Sequence, residues 1–388
     1  MAPAIDPIHT PPPPLEMQAR MDKIRSLMER EGLDYYVVAN TENVYYLTNF
    51  AYVPLERPFF LVIPAREKPL LVVPLLEESH ARQRVLADVD YRTYYEFPSP
   101  AGQGYASVLE DVIGREHRVG VESSLRLALY EAVPGSRTVV DIVEEARLVK
   151  SAYEVGRIAY ACSVVDGGMA KALSLSKPGV QVLVVYSEGT REMTAKVVLE
   201  IPNANFTVCD FTCAFWPKAL SAQPHSVPSI FDALEEGGPN VAIVMAQADG
   251  YAAEVERTFF VGDVPDMAKE PFELMMESRE LAFGMVGPGV PAAEVDAAVQ
   301  RLIESRGYGE YILHRTGHGI GITAHEPPWI ALGSNDILEE NTVISIEPGI
   351  YIPGAGGFRH SDTVLVTSDG CQPLTTSPDR LQDLLLPA

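Results

Sequence analysis

Two acidic residues, Glu254 and Glu256, stand two apart in the segment DGYAAEVERTFF, and a third, Glu347, lies in SIEPGIY. Between them in sequence come His318 and His325, in RTGHGIGITAHEPPW, while His225 lies upstream in QPHSVPS. Side chains two apart on a strand share a face, so Glu254 points with Glu256, and Ser345 with Glu347 and Gly349. Several carboxylates then face one cavity. Their mutual repulsion and loss of hydration raise at least one carboxyl pKa or demand a cation; without a metal ion, the candidates are a protonated histidine and the substrate. Carboxylates beside histidines are also the equipment of general acid–base catalysis. Plainer readings stand beside these. Glu256 also reads as an ion-pair partner of Arg257 or of a neighbouring strand, His314 as support for the turn before the GHG segment, and Glu254 as a ligand, a substrate contact or a solvated strand residue. Gly317, Gly319 and Gly321 alternate around His318 and read as points of close backbone packing, because no strand-to-helix dinucleotide pattern surrounds them.

The elements that must position these residues follow from periodicity. A proline-rich arm precedes an amphipathic helix over Leu15–Glu31, and YYVVAN, RPFFLVIP, PLLVVP and RVGVES read as strands, giving an alternating α/β domain. The second half alternates helices at Pro271–Met285 and Ala292–Ser305 with strands at Val241–Met245, Glu254–Phe260, Val343–Glu347 and Thr363–Val366, which makes it α+β.

At 388 residues, with 47% apolar and 21% charged residues, the chain is long enough for two domains with substantial cores. A net charge of −23 opposes nonspecific binding to nucleic acid or anionic membrane. No apolar run approaches the roughly 20 residues of a membrane span, and MAPAIDPIHTPPPPLE lacks the basic and apolar regions of a signal peptide, so the expected location is cytoplasmic. Cys162, Cys209, Cys213 and Cys371 show no zinc-type pairing and read as reduced thiols.

Taken together, the GHG, HEPP, SIEP and GGFRHSDTVLV segments resemble the pita-bread superfamily of prolidases, aminopeptidase P, methionine aminopeptidases and creatinase. The resemblance implies a flexible arm over residues 1–14, a creatinase/prolidase-like N-terminal domain over 15–149 and a pita-bread catalytic domain over 150–388, opened by the helical segment LVKSAYEVGRIAYACSVVDGGMAKAL. Metalloenzymes of this superfamily hold two divalent ions with two Asp, one His and two Glu. The histidine falls on His318, one Glu on Glu347 and the second Asp on Glu254, whereas Ile243 and Ser361 stand where the first Asp and the last Glu are expected. Neither isoleucine nor neutral serine replaces an anionic oxygen ligand for hard cations. The expectation is therefore no cofactor, with a single divalent ion on Glu254, His318 and Glu347 as the alternative.

Metal-free creatinase resembles this pattern further. Its two substrate-holding glutamates match Glu256 and Glu347, its acid/base histidine matches His225, and an arginine that reaches the substrate carboxylate from a neighbouring subunit matches Arg57, which implies a homodimer whose partner N-terminal domain closes the active site. His318, His325, Trp329 and Glu254 are the remaining expected substrate contacts. Trp329 stands where creatinase has a second carboxylate-binding arginine, and its indole offers a cation–π face instead. Ectoine hydrolases, similar in lacking metal ligands, imply a nucleophilic role for Glu256. The expected function is metal-independent hydrolysis of a guanidine- or amidine-type C–N bond in a small cationic carboxylated molecule. The alternatives are a metal-dependent Xaa-Pro dipeptidase, a lyase on a small onium acid and a non-catalytic binding module.

Overall fold

A computed structural model describes residues 5–388, which form two units: residues 11–147, and residues 148–388 together with the segment before Pro11. The division falls after Arg147, where the sequence reading places it after Val149.

In the first unit a helix over Pro14–Glu31 starts with proline in its first turn and stops at Gly32, whose φ of 63° suits a residue without a Cβ. Met17, Met21, Ile24 and Met28 form its buried stripe at helical spacing. Six strands follow: β1 (Tyr35–Val38), β2 (Phe60–Pro64), β3 (Leu70–Pro74), β4 (Asp90–Tyr94), β5 (Arg118–Val121) and β6 (Ser136–Val139). They make one mixed sheet in the order β4-β3-β2-β1-β5-β6. The unbroken apolar run FLVIP of β2 is buried at all five positions, as expected of a strand covered on both faces.

The second unit opens with the helix Ala152–Leu175, whose start is fixed by a reciprocal Ser151–Glu154 capping box. Residues leading to Thr10 pack on this helix. Ile8 N–H donates to the Gly156 carbonyl at 2.8 Å, and Tyr153 and Arg157 each donate to the Thr10 carbonyl at 2.9 Å. Part of the arm expected to be flexible is thus tied down.

Nine strands build the main sheet: β7 (Asp210–Trp216), β8 (Gly237–Ala248), β9 (Tyr251–Val261), β10 (Gly317–Gly319), β11 (Glu326–Ile330), β12 (Val343–Ile346), and, after the separate ribbon β13 (Gly349–Ile352) and β14 (Gly356–Arg359), β15 (Ser361–Thr367), β16 (Gly370–Pro373) and β17 (Leu385–Leu386). Its order is β11-β10-β12-β15-β9-β8-β7, with β16 on β15 and β17 on β9. The β8–β9 hairpin turns at Asp249-Gly250, both at positive φ (47° and 98°), which is the Asp-Gly chemistry of a tight two-residue turn.

Helices Asp266–Met285 and Ala292–Ser305 supply Phe272, Met275, Val295, Val299 and Ile303 to the core under this sheet. The first of them starts five residues before its expected start at Pro271, and the proline is buried inside it; packing of its apolar face overrides the local preference for proline at a helix start. Among the described residues no helix is long and apolar enough to cross a membrane.

Candidate active site

Strand register gathers the chemistry into two rows across one face of the sheet. Thr212 pairs with Met245, Met245 with Glu254, Thr363 with Ser345, Ser345 with His318, and His318 with Trp329. Glu254 and Thr363 close this row through backbone–hydroxyl hydrogen bonds of 3.1 and 3.0 Å. Two residues along, Ala214 pairs with Ile243, Ile243 with Glu256, and Glu256 with Ser361. Glu347 sits just past the end of β12, held by a 2.8 Å hydrogen bond from its N–H to the Thr316 carbonyl. Thr316 is fixed in turn by the buried Asp296, which accepts its N–H at 2.9 Å and its hydroxyl at 2.8 Å.

Over these rows lies a cavity of about 580 Å³. His225, Glu254, Glu256, His325 and Glu347 line it, so five expected site residues meet there; His318 is fully buried behind them. His225 sits on an exposed stretch of loop whose path is held by the Trp216 indole N–H donating to the Ser226 carbonyl at 2.6 Å. Trp329 does not line the cavity. Its ring takes the Arg315 guanidinium at 4.7 Å, so the cation–π contact expected for a substrate is made within the protein. Arg57 belongs to the N-terminal unit, where Glu56 and Glu96 hold its guanidinium.

The charge balance differs from the one inferred from sequence. Arg359, on the β14 edge, places Nε 2.7 Å from Glu256 Oε2, close as an ion pair but without the alignment of a hydrogen bond. Arg257 does not pair with the Glu256 carboxylate; with Arg279 it clamps buried Asp362 at 2.8 and 2.6 Å. Burial first, then Glu347 and Glu254, raise Glu256 to about 8, even though Arg359 pulls the other way. Glu254 accepts the Ser345 hydroxyl at 2.5 Å. His318 bonds through Nδ1 to the Gly319 carbonyl at 3.1 Å, leaving Nε2 3.5 Å from Glu254 and 3.3 Å from Glu347, short of a hydrogen bond to either. Burial lowers His318, but Glu254 and Glu347 outweigh it and bring it up to about 10; burial raises Glu347, but His318 outweighs it and brings it down to about 2. His325 is 4.0 Å from the His318 ring, and burial, the charge of His318 and, less strongly, Arg315 lower its pKa. Burial also lowers His314, whose Nε2 lies 2.7 Å from the Tyr351 hydroxyl.

Two ions do not fit this donor set. The row that would hold the second presents isoleucine, a glutamate committed to Arg359, and Ser361, whose buried hydroxyl has no hydrogen-bond partner. One ion does fit. Donor atoms of Glu254, His318 and His325 all lie within 4.8 Å of one another, and the buried Nε2 of His318 faces carboxylates without bonding to them. Relative to the alternative set expected from sequence, His325 joins Glu254 and His318, with Glu347 adjacent.

The fold and this metal-compatible cluster place the protein among metallohydrolases of the pita-bread type. The chain belongs to metallopeptidase family M24, which it matches over residues 156–368, and residues 20–151 match the creatinase/prolidase N-terminal domain. It is 31% identical to an Xaa-Pro dipeptidase of Pyrococcus horikoshii over 94% of this chain and 99% of that one. Similar solved structures include dipeptidase PepE from Mycobacterium ulcerans (27% identity, 98% of this chain and 100% of that one, TM-score 0.83) and an Xaa-Pro dipeptidase from Bacillus anthracis (26%, 96% and 100%, 0.80).

These relationships overturn two expectations. The family is one of metallopeptidases and several relatives are named Xaa-Pro dipeptidases, so the metal-independent, creatinase-like cleavage of a guanidine or amidine is corrected, as is the expectation of no cofactor. The two errors have separate physical reasons: the no-cofactor expectation took the lost ligands at Ile243 and Ser361 to mean the loss of any ion, although Glu254, His318 and His325 still converge, and the cationic-substrate expectation set three glutamates against histidines and omitted Arg359. Its arginine stands in the GGFRH segment, two residues before Ser361, and that was the available signal. Arg315 and Tyr351 were also missed. That the protein is a hydrolase stands.

Proposed function

We propose that this chain is a metal-dependent dipeptidase for peptides with proline in second place, holding a single divalent ion through Glu254, His318 and His325 with Glu347 beside them. The observation that supports it is the convergence of those donor atoms within 4.8 Å at the floor of the cavity. When bound, such an ion supplies Lewis acidity toward a carbonyl oxygen. The protein does the rest. Ile243, Ala214, Trp216, Val182 and Pro228 give the cavity apolar walls suited to a pyrrolidine ring and exclude water around the scissile bond. Glu256, raised to about 8 and flanked by Arg359, adds little negative charge inside the cavity at neutral pH, so the space beside the ion is not dominated by repulsion. His225, on the exposed side, is placed to pass a proton between solvent and the departing proline nitrogen. The reading includes a homodimer, which light scattering at twice the chain mass checks.

The substrate class is tested by incubating manganese- or cobalt-supplemented protein with Ala-Pro and Ala-Ala and quantifying free amino acids. Proline release faster than alanine release by roughly 10-fold or more is expected, on the scale at which pocket fit discriminates substrates. No hydrolysis of Ala-Pro with any divalent ion defeats the reading.

A further inference from the structure

His325 is the member of the candidate cluster with the least behind it. Glu254 and His318 are buried on strands, whereas His325 is exposed and stands just before β11, on the turn that follows Gly321. That turn is folded around the next residue. Glu326 is only 6% exposed, its Oε2 accepts the Thr323 N–H at 3.4 Å and the Thr323 hydroxyl at 3.0 Å, and a Cβ at Gly321 would strike its carboxylate. The other oxygen, Oε1, accepts from Lys150 Nζ at 3.0 Å, and Lys150 is itself only 3% exposed. A buried ammonium and a buried carboxylate hold to one another because either one alone in the interior is costly. The main chain of Lys150 is tied elsewhere: its N–H donates to the Asn341 carbonyl at 3.0 Å, in the segment leading into β12. Lys150 thus braces the turn before β11 against the chain entering β12, and these are the two strands that flank β10 and its His318.

We propose that Lys150 is a positioning residue of the ion site: through its ion pair with Glu326 it holds the turn that carries His325 at the distance from Glu254 and His318 that a shared ion requires. This rests on the single-ion reading. Lys150 does not line the cavity, and it acts through Glu326. The side-chain pair sets where the turn lies, and the bond to Asn341 refers that position to the strand that ends beside Glu347. Without the ammonium, a buried carboxylate is left charged and unpaired directly after His325. The turn then opens to rehydrate it and carries the imidazole, now 4.0 Å from the His318 ring, away from the other donors.

Calorimetric titration of the chelator-stripped protein with manganese tests this without depending on turnover. Lys150→Met is expected to weaken manganese binding by about 10–100-fold, the scale for groups that orient a metal ligand. Lys150→Arg, which keeps a cation on Glu326, is expected to recover most of that loss. Should Lys150→Met alone fail to fold, Lys150→Met combined with Glu326→Gln leaves neither charge buried, and it is expected to fold and still bind manganese weakly. His325→Ala separates positioning from general stability. Adding Lys150→Met to it is expected to lower the affinity no further, because the effect runs through the missing ring. Wild-type affinity in a folded variant without the Lys150 ammonium, or the same further loss on the His325→Ala background, overturns the proposal. Failure of the single-ion reading is a separate result: it shows as no manganese binding by the wild type, and the proposal falls with it.

Discussion

His318 is buried completely, yet its Nε2 makes no hydrogen bond and faces Glu254 and Glu347 at 3.5 and 3.3 Å. A ring held by one nitrogen and open at the other, with acids on the open side, is what a cation-binding histidine requires. His318→Ala is expected to lower divalent-ion affinity by more than about 100-fold, since altering groups that only support a ligand already costs about 10–100-fold; titration of the stripped protein measures it. Glu256→Gln has a different signature. Burial lifts Glu256 to about 8, so its pair with Arg359 is fully charged only above that pH, and a raised carboxyl contributes stability that is present below its unfolded value of about 4.3 and lost as pH climbs through the folded one. Urea unfolding should therefore show the wild type losing ground to Glu256→Gln as pH rises from about 5 to about 8. At this scale His225, His318, His325, Glu254 and Glu347 were legible from their motifs, because each motif is a short continuous string. Arg359 and Arg315 were not, because their roles depend on partners 103 and 14 residues away that only strand pairing and stacking bring together.

Strand β10 shows why the elements take the form they do. It runs between β11 and β12, and a Cβ at Gly317 would strike the Ser345 carbonyl, while one at Gly319 would strike the Pro327 carbonyl. Glycine on both sides of His318 lets the neighbouring backbones close around it, as the alternation in GHGIG suggested. Gly317→Ala is expected to push β12 away and displace Glu347 relative to His318, reducing turnover far more than melting temperature.

Behind the site, Asp362 between Arg257 and Arg279 locks β15 to β9 and to the helix Asp266–Met285. Burial raises the Asp362 pKa, but the two guanidinium groups outweigh it, and the net shift is downward. A depressed carboxyl contributes stability that is present above its unfolded value of about 3.9 and is lost as pH falls through the lower folded value. Asp362→Asn should therefore be markedly less stable than wild type at pH 7, with the gap in unfolding free energy narrowing below about pH 4. Element types were readable because periods of 2 and 3.6 are local. The early start of the helix Asp266–Met285 was not, since it depends on what its apolar face packs against.

For the whole molecule, the two-part architecture was legible through the resemblance, but the sheet order was not read at all, since sequence periodicity does not pair β15 with β9 or β10 with β12. The same resemblance led the functional reading astray at Ile243 and Ser361, where missing ligands were taken to mean a missing metal. The structure separates those two ideas: the row through Ile243 and Ser361 offers only a glutamate beside Arg359, while Glu254, His318 and His325 bring donor atoms within 4.8 Å of one another. An ion that binds the folded chain alone must stabilise it. At 100 times its dissociation constant the gain is about 2.7 kcal/mol, so thermal melting with and without manganese should show a rise of a few degrees in wild type and none in His318→Ala.

The most direct test strips the protein with a chelator, restores manganese or cobalt in measured steps, and follows proline release from Ala-Pro alongside bound metal per chain. The account predicts no release from the stripped protein and full recovery as occupancy reaches one ion per chain. Undiminished release after complete stripping, or recovery only at two ions per chain, would contradict it.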